Sequence, residues 1–156
     1  MVNMPKNRFD LELLMDMKVK EVMAKNPPIC KPKTLVLDML KKLRTQKEDY
    51  MLIVGDDRQL LGIVTESDIL HALKRPSGHM FIGTRLMDEM KKIVARTVEE
   101  IMSRHPLTVH GENTVREALD TMVTHKFRHL PVTEQDRVIG AVSIHDIIVS
   151  ILKLAK

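Results

Sequence analysis

The chain has 156 residues, of which 44% are apolar and only 3% aromatic, so a globular core must be built from Ile, Leu, Val and Met; there are 12 Met, a residue suited to irregular packing. The net charge is +4 and the pI about 9.2. The excess is spread evenly, with 13 Lys and Arg against 11 Asp and Glu over residues 1–74 and 12 against 10 over residues 75–156, so there is no basic arm of the kind that marks nucleic-acid binders.

Residues 1–8 read as a loose tail. Phe9, Leu13 and Met17 fall at i, i+4 and i+8, with Leu14 beside them, which predicts a short amphipathic helix over 9–17 with Asp10, Glu12 and Asp16 facing water. The cluster Val19-Lys-Glu-Val-Met23 follows, then Pro27 and Pro28, then a short extended piece at Ile29-Cys30. Thr34 is expected to open a helix whose apolar face is Val36, Met39, Leu40 and Leu43. Tyr50–Val54 reads as a strand, 55–59 as a polar turn, and Leu60–Val64 as a second strand running into a helix from Glu66.

The same order is then written again. Val98-Glu-Glu-Ile-Met102 and Pro106 lie 79 residues after their counterparts. Leu107 to Val109 is the extended piece, and Val115, Ala118, Leu119 and Met122 form the apolar helical face, with Thr114 and Glu117 at capping-box spacing. His129–Thr133 is a strand, and the turn at 134–137 is one residue shorter than its partner. From there the offset becomes 78: Gly62 and Gly140, Thr65 and Ser143, and Asp68 and Asp146 all stand that far apart. A glycine, a hydroxyl and a carboxylate repeated at one offset inside apolar runs mark a duplicated unit. Between the copies, Gly78 and Gly83 break the chain, and Leu86, Met87, Met90, Ile93 and Val94 recur at helical spacing, an apolar stripe expected to pack in a core or in a dimer interface. The divisions are therefore 1–18, an N-terminal tail and short helix; 19–73, the first repeat; 74–97, a helical linker; 98–152, the second repeat; and 153–156, a C-terminal tail.

Cys30 is the single cysteine, which excludes an internal disulfide and fits a reducing cytoplasm. No apolar run approaches the roughly 20 residues of a membrane helix, and no apolar signal core follows the N-terminus, so the expected location is cytoplasmic. There is no phosphate-binding glycine loop and no nucleophile elbow, and Ser143 and His145 are too close along a helix start to act as nucleophile and base; no catalysis is expected. His125 and His129 have a metal-ligand spacing but no third ligand, and no metal is expected.

The series Met23, Pro27, Thr34, Leu40, Gly62, Thr65, Asp68 and its second copy Met102, Pro106, Asn113, Leu119, Pro131, Gly140, Ser143, Asp146 resembles the CBS domain, the family named for the C-terminal region of cystathionine β-synthase. The resemblance covers nearly the whole chain. It implies an α+β fold of two β-α-β-β-α repeats packed through their sheets as a pseudo-two-fold pair, with two clefts that in many members hold AMP, ADP, ATP or S-adenosylmethionine. By position it implies that Asp68 and Asp146 accept from ribose hydroxyls and that Thr65 and Ser143 contact ribose or phosphate. It also places Arg128 and His129 at phosphate, where the first copy has Asp49 and Tyr50, and Thr34 and Asn113 beside the adenosine. The chemistry is sound on general grounds, because one carboxylate accepts from two vicinal hydroxyls. Thr65-x-x-Asp68 and Ser143-x-x-Asp146 are equally good capping boxes, in which the carboxylate only ties back to the backbone. The expected function is a regulatory module that needs no cofactor, takes an adenosine compound as ligand, forms a homodimer and signals to an unidentified protein; the competing expectation is a ligand-free dimerisation scaffold, and after it a nucleic-acid-binding protein acting through the +4 surface.

Overall fold

All five residues of β2 (Tyr50–Val54) are buried, as a continuous apolar run in the middle of a sheet requires. The structure, a computed structural model, describes residues 8–73 and 84–154. Of the expected tails at 1–8 and 153–156, residues 1–7 and 155–156 lie outside them, as do the breaks at Gly78 and Gly83; Arg8 belongs to the first helix, and Lys153 and Leu154 to the last. The fold is α+β, and the chain divides into two compact units. One is Pro28–Pro106, here the mid-chain unit. The other joins the chain up to Pro27 with the chain from Leu107, here the end-chain unit.

In the mid-chain unit β2 is flanked by β1 (Ile29–Cys30), parallel to it, and by β3 (Leu60–Thr65), antiparallel. A fourth strand not expected from the sequence, β4 (Ser103–Arg104), adds to the far side of β3, pairing Ile63 with Ser103 and Gly62 with Arg104. The helices are α3 (Val36–Gln46), α4 (Glu66–Ala72) and α5 (Thr84–Val94). Val36, Met39, Met51, Ile53, Val64, Ile93 and Val98 share one core.

The end-chain unit begins with α1 (Arg8–Asp16) and α2 (Val19–Val22). Its sheet is β5 (Val109–His110), parallel to β6 (His129–Glu134), which is antiparallel to β7 (Arg137–Ser143); α6 (Val115–His125) and α7 (Ile144–Leu154) complete it. Val19, Val115, Ala118, Leu130, Val132 and Val142 form its core.

The packed units are offset from the sequence repeats. Val19 opens the first copy but is buried in the end-chain unit, and Val98 opens the second but is buried in the mid-chain unit. Each is held by the same main-chain ladder. Val19 N–H donates to the Asn113 carbonyl at 2.8 Å, and Lys20 N–H to that of Gly111 at 3.1 Å; Val98 N–H donates to the Thr34 carbonyl at 2.8 Å, and Glu99 N–H to that of Pro32 at 3.2 Å.

The hairpin turns also match. Gln135 and Asp136 both have positive φ, 52° and 63°, the pattern of a type I′ two-residue turn, and Asp57 and Arg58 repeat it at 54° and 62° with one extra residue in the loop. α3 and α6 both end on a lysine in the left-handed region, Lys47 at φ 55° and Lys126 at φ 58°.

Three expectations need correction. The cap of α3 is Leu35, with no side-chain acceptor, so Thr34 lies one residue before the cap. In α1 Leu13 is 53% exposed and the buried residue is Leu14 beside it, while Met15 and Met17 pack against the end-chain core. The linker stripe is divided: Leu86, Met90 and Ile93 pack into the mid-chain core, whereas Met87 is 61% exposed.

Candidate functional site

Each glycine strand ends where a helix begins, and the repeated carboxylate sits at that corner. In the end-chain unit, Ser143 is the last residue of β7 and is paired across the hairpin with His129, the first residue of β6. Ile144 N–H donates to the Arg128 carbonyl at 3.1 Å, which brings Arg128 to the same corner. Ser143 N–H and Oγ both donate to Asp146 Oδ2, at 2.9 and 3.0 Å, and Asp146 N–H returns a bond to Ser143 Oγ at 3.0 Å. The capping box is thus formed, and it engages only one carboxylate oxygen. Among the described residues no donor reaches Asp146 Oδ1. Arg128 is exposed and forms no ion pair with another described residue. His129, next in the chain, is half-buried as a residue, and both its ring nitrogens are shielded from solvent.

The mid-chain unit builds the same corner from Thr65 and Asp68. Thr65 N–H and Oγ1 donate to Asp68 Oδ2 at 2.7 and 3.1 Å, and Thr65 is paired with the buried Tyr50. Asp49 and Glu48, two acids, precede Tyr50 where Arg128 precedes His129. Here the second carboxylate oxygen is occupied: Ser103 Oγ donates to Asp68 Oδ1 at 2.6 Å. Ser103 was not singled out in the sequence. The signal was available, because Val-Glu-Glu-Ile-Met-Ser103 aligns with Val-Lys-Glu-Val-Met-Ala24.

The structure gives Thr34 and Asn113 a main-chain duty, since their carbonyls anchor Val98 and Val19. The Asn113 side chain is committed as well: Oδ1 accepts from His110 N–H at 2.7 Å and Nδ2 donates to Glu117 at 3.0 Å. Thr34 is half-buried near Cys30, whose thiol is pushed up by burial, with the Thr34 hydroxyl opposing that shift. His125 and His129 are separated by the end of α6; His125 stacks on Phe127 with ring centroids 5.9 Å apart, and the described residues contain no cluster of three metal-ligating side chains.

The CBS domain model matches residues 19–75 and 98–153. The chain belongs to the CBS domain family. Among curated CBS proteins, it is 30% identical over 111 residues to the CBS domain-containing protein CBSCBSPB1 of Arabidopsis thaliana, an alignment covering 71% of this chain and 18% of that protein. It is 27% identical over 146 residues to the chloroplastic CBSX2 of the same plant, covering 84% of this chain and 61% of that one. The chain thus spans about a fifth of the length of the first of these relatives. Among solved structures, the CBS fold is shared with CBSX2 in complex with AMP, with a TM-score of 0.72 at 24% identity over 89% of this chain and 98% of that one. The CBS domain pair of protein MJ0100, solved with 5′-methylthioadenosine and S-adenosyl-L-methionine, gives a TM-score of 0.67 at 26% identity over 85% and 97%. No described helix is long and apolar enough to cross a membrane.

Proposed function

We propose that this CBS protein is a regulatory module that binds an adenosine compound by recognition alone, without turnover. The observation that carries the reading is the Ser143–Asp146 corner. One carboxylate oxygen is held rigid by the cap, and the other faces no donor among the described residues. A carboxylate so fixed is pre-organised to accept from the vicinal hydroxyls of a ribose. Arg128, tied to the start of α7 by its carbonyl, supplies a cation for phosphate, with His129 and Ser143 beside it. AMP, 5′-methylthioadenosine and S-adenosylmethionine in structures of similar proteins support the ligand class. Thr34 and Asn113 contribute by positioning the loop before α3 and α6. Binding shifts a conformational equilibrium that a partner protein reads, in the cytoplasm, and no cofactor is needed.

A homodimer is part of this proposal. Its sequence basis in the linker stripe is largely absorbed by the mid-chain core, so it now rests on exposed apolar side chains of α4 and α7, namely Leu70, Ile148 and Leu152. Light scattering is expected to report twice the 17.9 kDa chain mass.

Isothermal titration with AMP, ADP, ATP and S-adenosylmethionine tests the ligand reading. Saturable binding lost in Asp146→Ala is expected. Absence of heat with all four at millimolar concentration overturns it.

A further inference from the structure

The two carboxylate corners are built alike except at one register position. Ser103 pairs with Ile63 on the strand before Asp68, and Ala24 forms a bridge with Ala141 on the strand before Asp146. Ile63 and Ala141 are repeat partners, 78 residues apart, so Ser103 and Ala24 occupy the same place against their sheets. Ser103 has a hydroxyl there, and Ala24 has none. The hydroxyl lies 2.6 Å from Asp68 Oδ1, while Oδ2 already accepts from Thr65 twice. Asp68 therefore has donors on both oxygens, whereas among the described residues Asp146 has donors on one.

We infer that Ser103 decides specificity by closing the Asp68 corner to a ribose, so that the chain takes one ribose-bearing ligand, at Asp146. This rests on the adenosine-ligand reading above and adds which corner works and which residue silences the other. A ribose at Asp68 has to displace a short hydrogen bond to a charged group before it makes its own, and a bond of that kind is worth about a 10- to 100-fold change in affinity. The acids Asp49 and Glu48 act in the same direction against a phosphorylated ligand, so the latch is best revealed with an uncharged nucleoside. In its closed form the Ser103–Asp68 bond ties β4 to α4, a structural role for the carboxylate that the end-chain unit lacks.

The test is titration of adenosine and of AMP into the wild type, Ser103→Ala, Ser103→Thr, Ala24→Ser, Asp68→Ala and Asp146→Ala. One site per chain is expected in the wild type, lost in Asp146→Ala and kept in Asp68→Ala. Ser103→Ala, an exposed position whose change leaves the cores untouched, is expected to add a second adenosine site that Asp68→Ala removes again. Ser103→Thr keeps the donor and is expected to behave as the wild type. Ala24→Ser is expected to weaken the Asp146 site about 10-fold or more. Two wild-type sites, each lost with its own Asp, overturn the inference and leave the ligand reading standing. So does a single site indifferent to both Ser103→Ala and Ala24→Ser. No binding by wild type and Ser103→Ala alike overturns both.

Discussion

The thioether of Met102 lies where Gly62 has no Cβ: a methyl group built on Gly62 would sit 2.5 Å from Met102 Sδ and 2.8 Å from the Ser103 carbonyl oxygen. Gly140 repeats the contact with Met23 Sδ at 2.6 Å and the Ala24 carbonyl at 2.6 Å. The repeated glycine and the repeated methionine, far apart in sequence, are thus two halves of one contact. The segment that crosses from the other repeat approaches the strand so closely that only glycine fits beneath it. Gly62→Ala and Gly140→Ala are each expected to destabilise by about 1–3 kcal/mol, measured by urea unfolding. A second change at the methionine is not expected to restore stability, because main-chain oxygens remain within 3 Å of the new methyl.

Val19 and Val98 test the offset between repeat and packed unit. Both are fully buried. Val19→Ala is expected to cost about 2 kcal/mol, from two lost methyl groups and the cavity they leave. Hydrogen exchange is the decisive measurement: the amides of β6 and β7 should lose protection, and those of β2 and β3 should keep it. Val98→Ala should give the reverse. Loss at β2 and β3 in Val19→Ala would show that Val19 packs with its own sequence repeat.

The lysines that end α3 and α6 hold a backbone conformation that costs an L-residue about 1–2 kcal/mol. Glycine avoids that cost but loses more freedom on folding, about 0.5–1 kcal/mol. Lys126→Gly and Lys47→Gly are therefore each expected to raise stability by up to about 1 kcal/mol, read as a higher urea midpoint. A lower midpoint in both would contradict the αL assignment.

Glu117 gives a pH prediction. Thr114 N–H, donating at 2.8 Å, holds its carboxyl below the ordinary 4.5, with the Asn113 amide adding to the shift. The folded value is depressed, so the stabilisation is present above the unfolded value and is lost as pH falls from about 4.5 through the folded value. Glu117→Gln should be less stable than the wild type at pH 7, and the gap should shrink by pH 3. Circular-dichroism melts at the two pH values check this, and a gap that widens in acid would refute it.

Much of this molecule was determined by its sequence alone. Periods of 3.6 and 2 marked α3, α6 and the two hairpins, because side chains on one helical face or one strand face must share burial. The repeat offset singled out Gly62, Thr65 and Asp68 with their partners, and the capping boxes follow from residues three apart, whose geometry is local. What the sequence left undecided is non-local. Nothing in residues 8–23 tells whether Val19 joins the sheet that follows it or the one that begins near residue 107, since either core would accept a valine. Leu13 and Leu14 compete for one buried place in α1, and the packing against α6 and α7 chooses Leu14. The two carboxylates were indistinguishable in their own motifs. They differ because a β4 residue 35 positions after Asp68 reaches its second oxygen, and that contact exists only once the chain has folded back on itself.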